Sequence, residues 1–236
     1  MRAALVAAAL WGVAAPAQAC RVALAMGLDV SASVDAQEYR MQLEGLAAAL
    51  TSPPVRDAIL FGPGGPVAVA VYEWSGWADQ RLLVDWVLVT DAAVLEGVAA
   101  RLVATERARM SDSTALGEAL MVGGRLLGRA PACWRQVLDV SGDGRNNDGV
   151  DPDMLEGEPL LAGVTVNALV IGADDAGAGD LRAVDIGELS SYFNAFVIRG
   201  PDSFVQVALG FADYERAMTR KLMRELAPVA MSAARP

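Results

Sequence analysis

Residues Leu28–Asp35 read LDVSASVD, with an acid and two serines at alternate positions where an apolar run gives way to an amphipathic one. The run before it, Arg21 to Leu28, reads as a strand. The run after it repeats apolar residues at helical spacing, with Leu43, Leu46, Ala47 and Leu50 as the inward stripe. Asp35 is placed as the N-cap of that helix, and Glu38 completes a capping-box pattern. Strands that pass directly into helices are the units of a parallel sheet wrapped by helices, so the expected class is α/β.

The same alternation continues along the chain. PVAVAVYEW (66–74) is an unbroken apolar strand of the kind buried on both faces, and QRLLVDWVLV (80–89) follows it through SGWAD. That connection is too short for a crossover helix, so this pair should be antiparallel and place one strand at an edge. Pro53 and Pro54 are expected to end the first helix, a second should run from Asp91 to about Ala104, and a third should follow Thr114. RQVLDVSGDG (135–144), VTVNALVIG (164–172) and NAFVIRG (194–200) read as further strands. The closing helix is expected over 203–226, with Phe204, Val207, Phe211, Tyr214, Met218 and Leu222 at helical spacing.

At 236 residues and 54% apolar content the chain fits one domain, placed at 20–226, with 227–236 as a tail. Residues 1–19 read as a signal peptide: Arg2, an apolar segment stopped by Pro16, and the small-x-small site Ala17-Gln18-Ala19. The apolar segment falls short of the roughly 18 to 20 residues a membrane span requires. An exported protein, periplasmic or extracellular, is expected. Cys20 and Cys133 are the two cysteines, each shortly before a strand-end acid, Asp29 and Asp143. Parallel neighbouring strands would bring them together as a disulfide; lipidation of Cys20 is the alternative, with Ala17 and Gln18 a poor match to a lipobox. The net charge of −10 argues against nucleic acid as a partner. The absence of histidine excludes Ser-His-Asp hydrolysis and His-ligated zinc.

Ligands of open α/β sheets bind at the carboxyl ends of strands. Asp29, Ser31 and Ser33 lie at one such end, Asp143 and Gly144 at another, and Thr114 precedes a helix. Taken singly, each could be a cap or a turn. Asp35 already caps the first helix, however, which leaves three surplus oxygen groups beside it. Two carboxylates and three hydroxyls, without nitrogen or sulfur, suit a hard divalent cation, Mg²⁺ first and Ca²⁺ or Mn²⁺ as alternatives.

DVSASVD, the threonine of STALGEAL and the aspartate of DVSGDG resemble the metal-ion-dependent adhesion site (MIDAS) of von Willebrand factor type A domains. VAVYEWSG and FVQVALGFADYERAMTRKLMREL are similar to an exported bacterial branch of that family. The resemblance implies a Rossmann-like fold with a mostly parallel central sheet, one antiparallel edge strand and helices on both faces. It also implies a metal held by Asp29, Ser31, Ser33, Thr114 and Asp143, with Ser111 and Ser113 as alternatives to Thr114. The implied function is non-enzymatic capture of a protein partner through an acidic side chain.

Two other functions compete. A Mg²⁺-dependent phosphoester hydrolase could use the same strand ends, although a second Asp after Asp29 and a Lys-bearing phosphate loop are both missing. A module with a decayed metal site could instead recruit partners through Trp74, Trp77 or Trp86. GRNNDGVDPDMLEGE (144–158) echoes an EF-hand at Asn146, Asp148 and Gly149, but Gly144 and Leu155 stand where ligands are required, so a solvated turn is expected. Asp174 and Asp175 are read as part of a loop.

Overall fold

The computed structural model describes residues 20–172 and 179–227. Six strands, β1 (Cys20–Asp29), β2 (Val67–Trp74), β3 (Gln80–Val89), β4 (Cys133–Gly142), β5 (Val164–Ile171) and β6 (Val205–Ala208), form one sheet in the order β3-β2-β1-β4-β5-β6. Only the β2–β3 pair is antiparallel, with β3 at the edge as the short connection requires. Among the described residues six α-helices surround the sheet: α1 (Ala36–Thr51), α2 (Pro53–Phe61), α3 (Ala92–Val103), α4 (Leu116–Leu127), α5 (Gly179–Tyr192) and α6 (Tyr214–Leu226).

β1 is the central element, and all ten of its residues are buried. Its side chains alternate between two cores. Val22, Leu24, Met26 and Leu28 pack with Leu43, Leu46 and Leu50 of α1 and Met218 and Leu222 of α6. Ala23 and Ala25 face the other side, against Leu116 and Leu120 of α4. α4 sits close to the sheet there: a Cβ on Gly123 would stand 2.4 Å from a Leu138 methyl, so any larger residue would make Leu138 or the helix shift.

Three details differ from the sequence reading. Pro53 and Pro54 begin α2 as well as ending α1, because proline at the first helical positions gives up only N–H groups that lack a partner anyway. NAFVIRG is not a strand: Phe193–Val197 continues α5 as a π-turn with Phe193 and Val197 buried, and only Arg199 bridges to Val166. The last strand is Val205–Ala208, lying inside the expected long helix. Gly200 at φ 86° and Gly210 at φ 123° break the chain on either side, so Phe204, Val207 and Phe211 shared helical spacing without sharing a helix.

The disulfide is present. Cys20 pairs with Cys133 in register at the amino ends of β1 and β4, with an S–S distance of 2.06 Å. The Cys20 sulfur is therefore not free to carry a lipid. Residues 1–19, the tail beyond 227, and Asp174 and Asp175 lie outside the described residues. Among the described residues no helix is long and apolar enough to cross a membrane.

Candidate metal centre

β1 and β4 are parallel neighbours with Leu28 opposite Ser141, so Asp29 and the Gly142-Asp143 turn emerge side by side. Asp29 is fully buried, its Oδ1 accepts the Ser31 N–H at 2.9 Å, and its Oδ2 has no hydrogen-bond partner. The Oγ atoms of Ser31 and Ser33 are 3.2 Å apart, and Ser33 Oγ donates to Asp143 Oδ1 at 2.7 Å. A Cβ built on Gly142 would lie 3.4 Å from the unpartnered Asp29 Oδ2. One built on Gly144 would lie 3.8 Å from Thr114 Oγ1. The structure thus places Asp29, Ser31, Ser33 and Asp143 together at the carboxyl ends of β1 and β4, with Thr114 beside Gly144, the residue that follows Asp143.

None of these side chains caps a helix. Asp35 accepts the Gln37 and Glu38 N–H groups, and Glu38 accepts the N–H of Asp35, completing the capping box expected for α1. Thr114 lies just before Ala115, the N-cap of α4, which makes no side-chain cap hydrogen bond. Backbone bonds hold the loops in place: Val30 N–H to Trp74 O, Ala32 N–H to Asp112 O and Ala115 N–H to Ser75 O. Ser111 Oγ accepts the Ser113 N–H at 3.2 Å.

Two residues that sequence reasoning missed as positioning groups are Asn146 and Asn147. Asn147 exchanges hydrogen bonds with Thr114: its Oδ1 accepts the Thr114 N–H at 2.8 Å, and its N–H donates to Thr114 O at 2.9 Å. Asn146 Oδ1 accepts the Gly117 N–H in the first turn of α4, taking the role of the missing local cap. The segment read as a solvated turn is therefore a clamp on the Thr114 loop. Asp148 accepts the N–H groups of Trp77 and Gly149. Among the described residues no group of three or more Asp, Glu, Cys or His side chains is arranged to hold a metal.

The electrostatics of the five-residue cluster are those of an acid pair without a counter-charge. Burial, followed by the neighbouring Asp143, raises the Asp29 carboxyl to about 8. Burial also raises Asp143, opposed by the hydrogen bond from Ser33. Among the described residues neither acid forms an ion pair. An all-oxygen donor set with an orphaned buried carboxylate oxygen fits a hard cation.

Asn147→Ala leaves the Thr114 N–H without its partner while leaving both strands intact. The expected result is a loss of roughly 10-fold in divalent-cation affinity with an unchanged far-ultraviolet circular dichroism spectrum, measured by calorimetric titration. Unchanged affinity would mean that the clamp does not position Thr114.

The family described as "Protein of unknown function (DUF1194)" matches residues 19–230. No curated protein matches the chain. Among solved structures, proximal thread matrix protein 1 from the mussel byssus is similar at 16% identity and TM-score 0.57, covering 88% of this chain and 46% of that one. The same mussel protein has also been solved with a zinc-occupied MIDAS motif, at TM-score 0.56 and 16% identity, with the same coverage of 88% and 46%. A von Willebrand factor type A protein from Catenulispora acidiphila is similar at 16% identity and TM-score 0.54, with 88% and 43% of the two chains covered. The chain spans less than half the length of these relatives.

Proposed function

Because the chain belongs to the DUF1194 family and has the von Willebrand factor type A fold, we propose that it is a non-enzymatic, divalent-metal-dependent protein-binding module. The observation that carries this reading is the 2.7 Å hydrogen bond from Ser33 to Asp143 across 110 positions of sequence. It closes the Asp-x-Ser-x-Ser loop onto the second acid, beside an Asp29 oxygen that has no partner. Asp29, Ser31, Ser33, Thr114 and Asp143 would hold the cation. When bound, the cation supplies positive charge to the acid pair and a coordination position that an acidic side chain of a protein partner can fill.

Mg²⁺ is the first choice, with Ca²⁺ and Mn²⁺ as alternatives. The zinc held by the mussel protein's MIDAS adds Zn²⁺ to the cations worth testing. Trp77, 65% exposed on the β2–β3 connection and tied to Asp148, stands beside the clamp as an apolar contact for the partner. Trp74 is buried and Trp86 Nε1 donates to Leu126 O, so these two serve the fold. Residues 1–19 would act as the export signal, with 227–236 as a tail. The disulfide fits the oxidising compartment to which such a signal leads.

Calorimetric titration of the chelator-stripped protein is expected to show one divalent site. Metal binding below about pH 8 must displace the proton that burial keeps on Asp29, so the apparent enthalpy should change between buffers of different ionisation enthalpy. A pull-down from envelope extract, with and without chelator, tests the partner: capture that survives chelation would refute metal-mediated binding. Turnover of a generic phosphoester that disappears in Asp29→Asn would make the site catalytic instead.

A further inference from the structure

Lys221 is the only lysine of the chain and it is fully buried on α6. Its Nζ lies 2.6 Å from Asp139 Oδ1 on β4 and 2.5 Å from Glu225 Oε1 one helical turn further on. Both acids are 1% exposed. Asn167 Nδ2 donates to the same Glu225 oxygen at 2.8 Å, and the Phe204 ring lies 5.5 Å from Nζ. Arg135 donates to the Glu225 backbone carbonyl and Arg224 stacks on Phe204, so neither neutralises the two acids.

Two carboxylates and one ammonium would leave an uncompensated negative charge in an apolar interior, which is strongly unfavourable. One additional proton makes the cluster neutral. Asp139 is the group that takes it, since burial raises its carboxyl to about 7 even with Lys221 alongside. Nζ is held in contact with the Asp139 carboxyl and with a second carboxyl on Glu225, shielded from water, the condition under which proximity replaces concentration.

We propose that Lys221 and Asp139 condense into an intramolecular amide, with Glu225 relaying the protons. The Nζ lone pair attacks Asp139 Cγ, one bond beyond the oxygen it already touches. The Nζ–Cγ bond forms and the Cγ–hydroxyl bond breaks. Glu225 keeps the first ammonium proton and passes a second from Nζ to the departing hydroxyl, which leaves as water. No oxidant, reductant or cofactor is required. The product fastens α6 to β4 independently of the metal centre.

The test is mass spectrometry of the purified mature chain after reduction of Cys20–Cys133. Digestion after arginine should release Gln136–Arg145 joined to Lys221–Arg224, lighter by one water, about 18 Da, than the two peptides together. Lys221→Met and Asp139→Ala remove the reacting groups and should show full mass, and Glu225→Gln should retain mostly full mass because the relay is lost. Recovery of both peptides free and at full mass from the wild-type chain would overturn the proposal. So would a missing water confined to Gln136–Arg145 with Lys221–Arg224 recovered free, which would indicate a succinimide within that peptide, at Asp143-Gly144 or at Asp139, in place of the cross-link. Cross-linking in Glu225→Gln as complete as in the wild type would overturn the relay. The wild-type measurement stands even if a variant fails to fold.

Discussion

Asp29→Asn is expected to abolish divalent-cation binding, a loss of about 100-fold or more, while making the metal-free protein more stable. The two effects have opposite signs because they arise from the same charge. Asparagine keeps a side-chain oxygen to accept the Ser31 N–H, as Asp29 Oδ1 does at 2.9 Å, but it brings no charge to a cation. It also removes a carboxyl that burial and Asp143 raise to about 8.

The folded-state value lies above the unfolded one, so the Asp29 contribution to stability is fully present below the unfolded value near 4 and is lost as pH rises through about 8. At pH 7 most of it is gone, a difference on the order of 4 kcal/mol. Thermal unfolding of chelated wild type and chelated Asp29→Asn should therefore diverge from pH 5 to pH 8, with the variant the more stable. Saturating Mg²⁺ should reverse the order, because only the wild type gains stability from the ion. A wild type that neither gains stability from any divalent cation nor falls behind the variant at high pH would sink the metal reading. Substitution by alanine would lose the cation equally but would also open a gap beneath Ser31, which makes asparagine the cleaner choice.

What the sequence disclosed and what it concealed follow from the range of each interaction. The Asp35–Glu38 cap is local, spanning three residues, and so could be read directly. β1, β2 and the antiparallel edge strand β3 announce themselves through apolar runs and a connection too short for a helix. β6 did not, because four residues framed by positive-φ positions carry too little period to outweigh a chance helical spacing of Phe204, Val207 and Phe211. Asp29, Ser31, Ser33, Thr114 and Asp143 could be gathered because the first three share one short motif and the other two sit beside recognisable element ends. Asn146 and Asn147 act on Gly117 and Thr114 from 29 and 33 residues away, and nothing in GRNND itself marks the helix terminus they serve. Lys221 falls inside the closing helix expected over 203–226, whereas its meeting with Asp139 exists only once α6 lies across β4.

The largest loss of stability is expected from Cys20→Ser combined with Cys133→Ser. The bridge closes a separation of 113 residues, and removing it frees the denatured chain from that constraint, an effect of about 2–5 kcal/mol. Replacing both cysteines avoids leaving a thiol that can pair elsewhere. Chemical denaturation should show a lower midpoint; because the cross-link also compacts the denatured state, its loss should steepen the denaturant dependence as well. Metal affinity, in contrast, should hardly change. Cys20 and Asp29 occupy opposite ends of a ten-residue strand, roughly 30 Å apart at the ordinary strand rise, and the ladder between β1 and β4 keeps its register through the Val22 to Leu28 pairings. The bridge therefore strengthens the frame without shaping the cluster. A double variant that keeps its denaturation midpoint yet loses the cation would reverse that assignment, because the disulfide would then be positioning Asp29 and Asp143 rather than securing the fold.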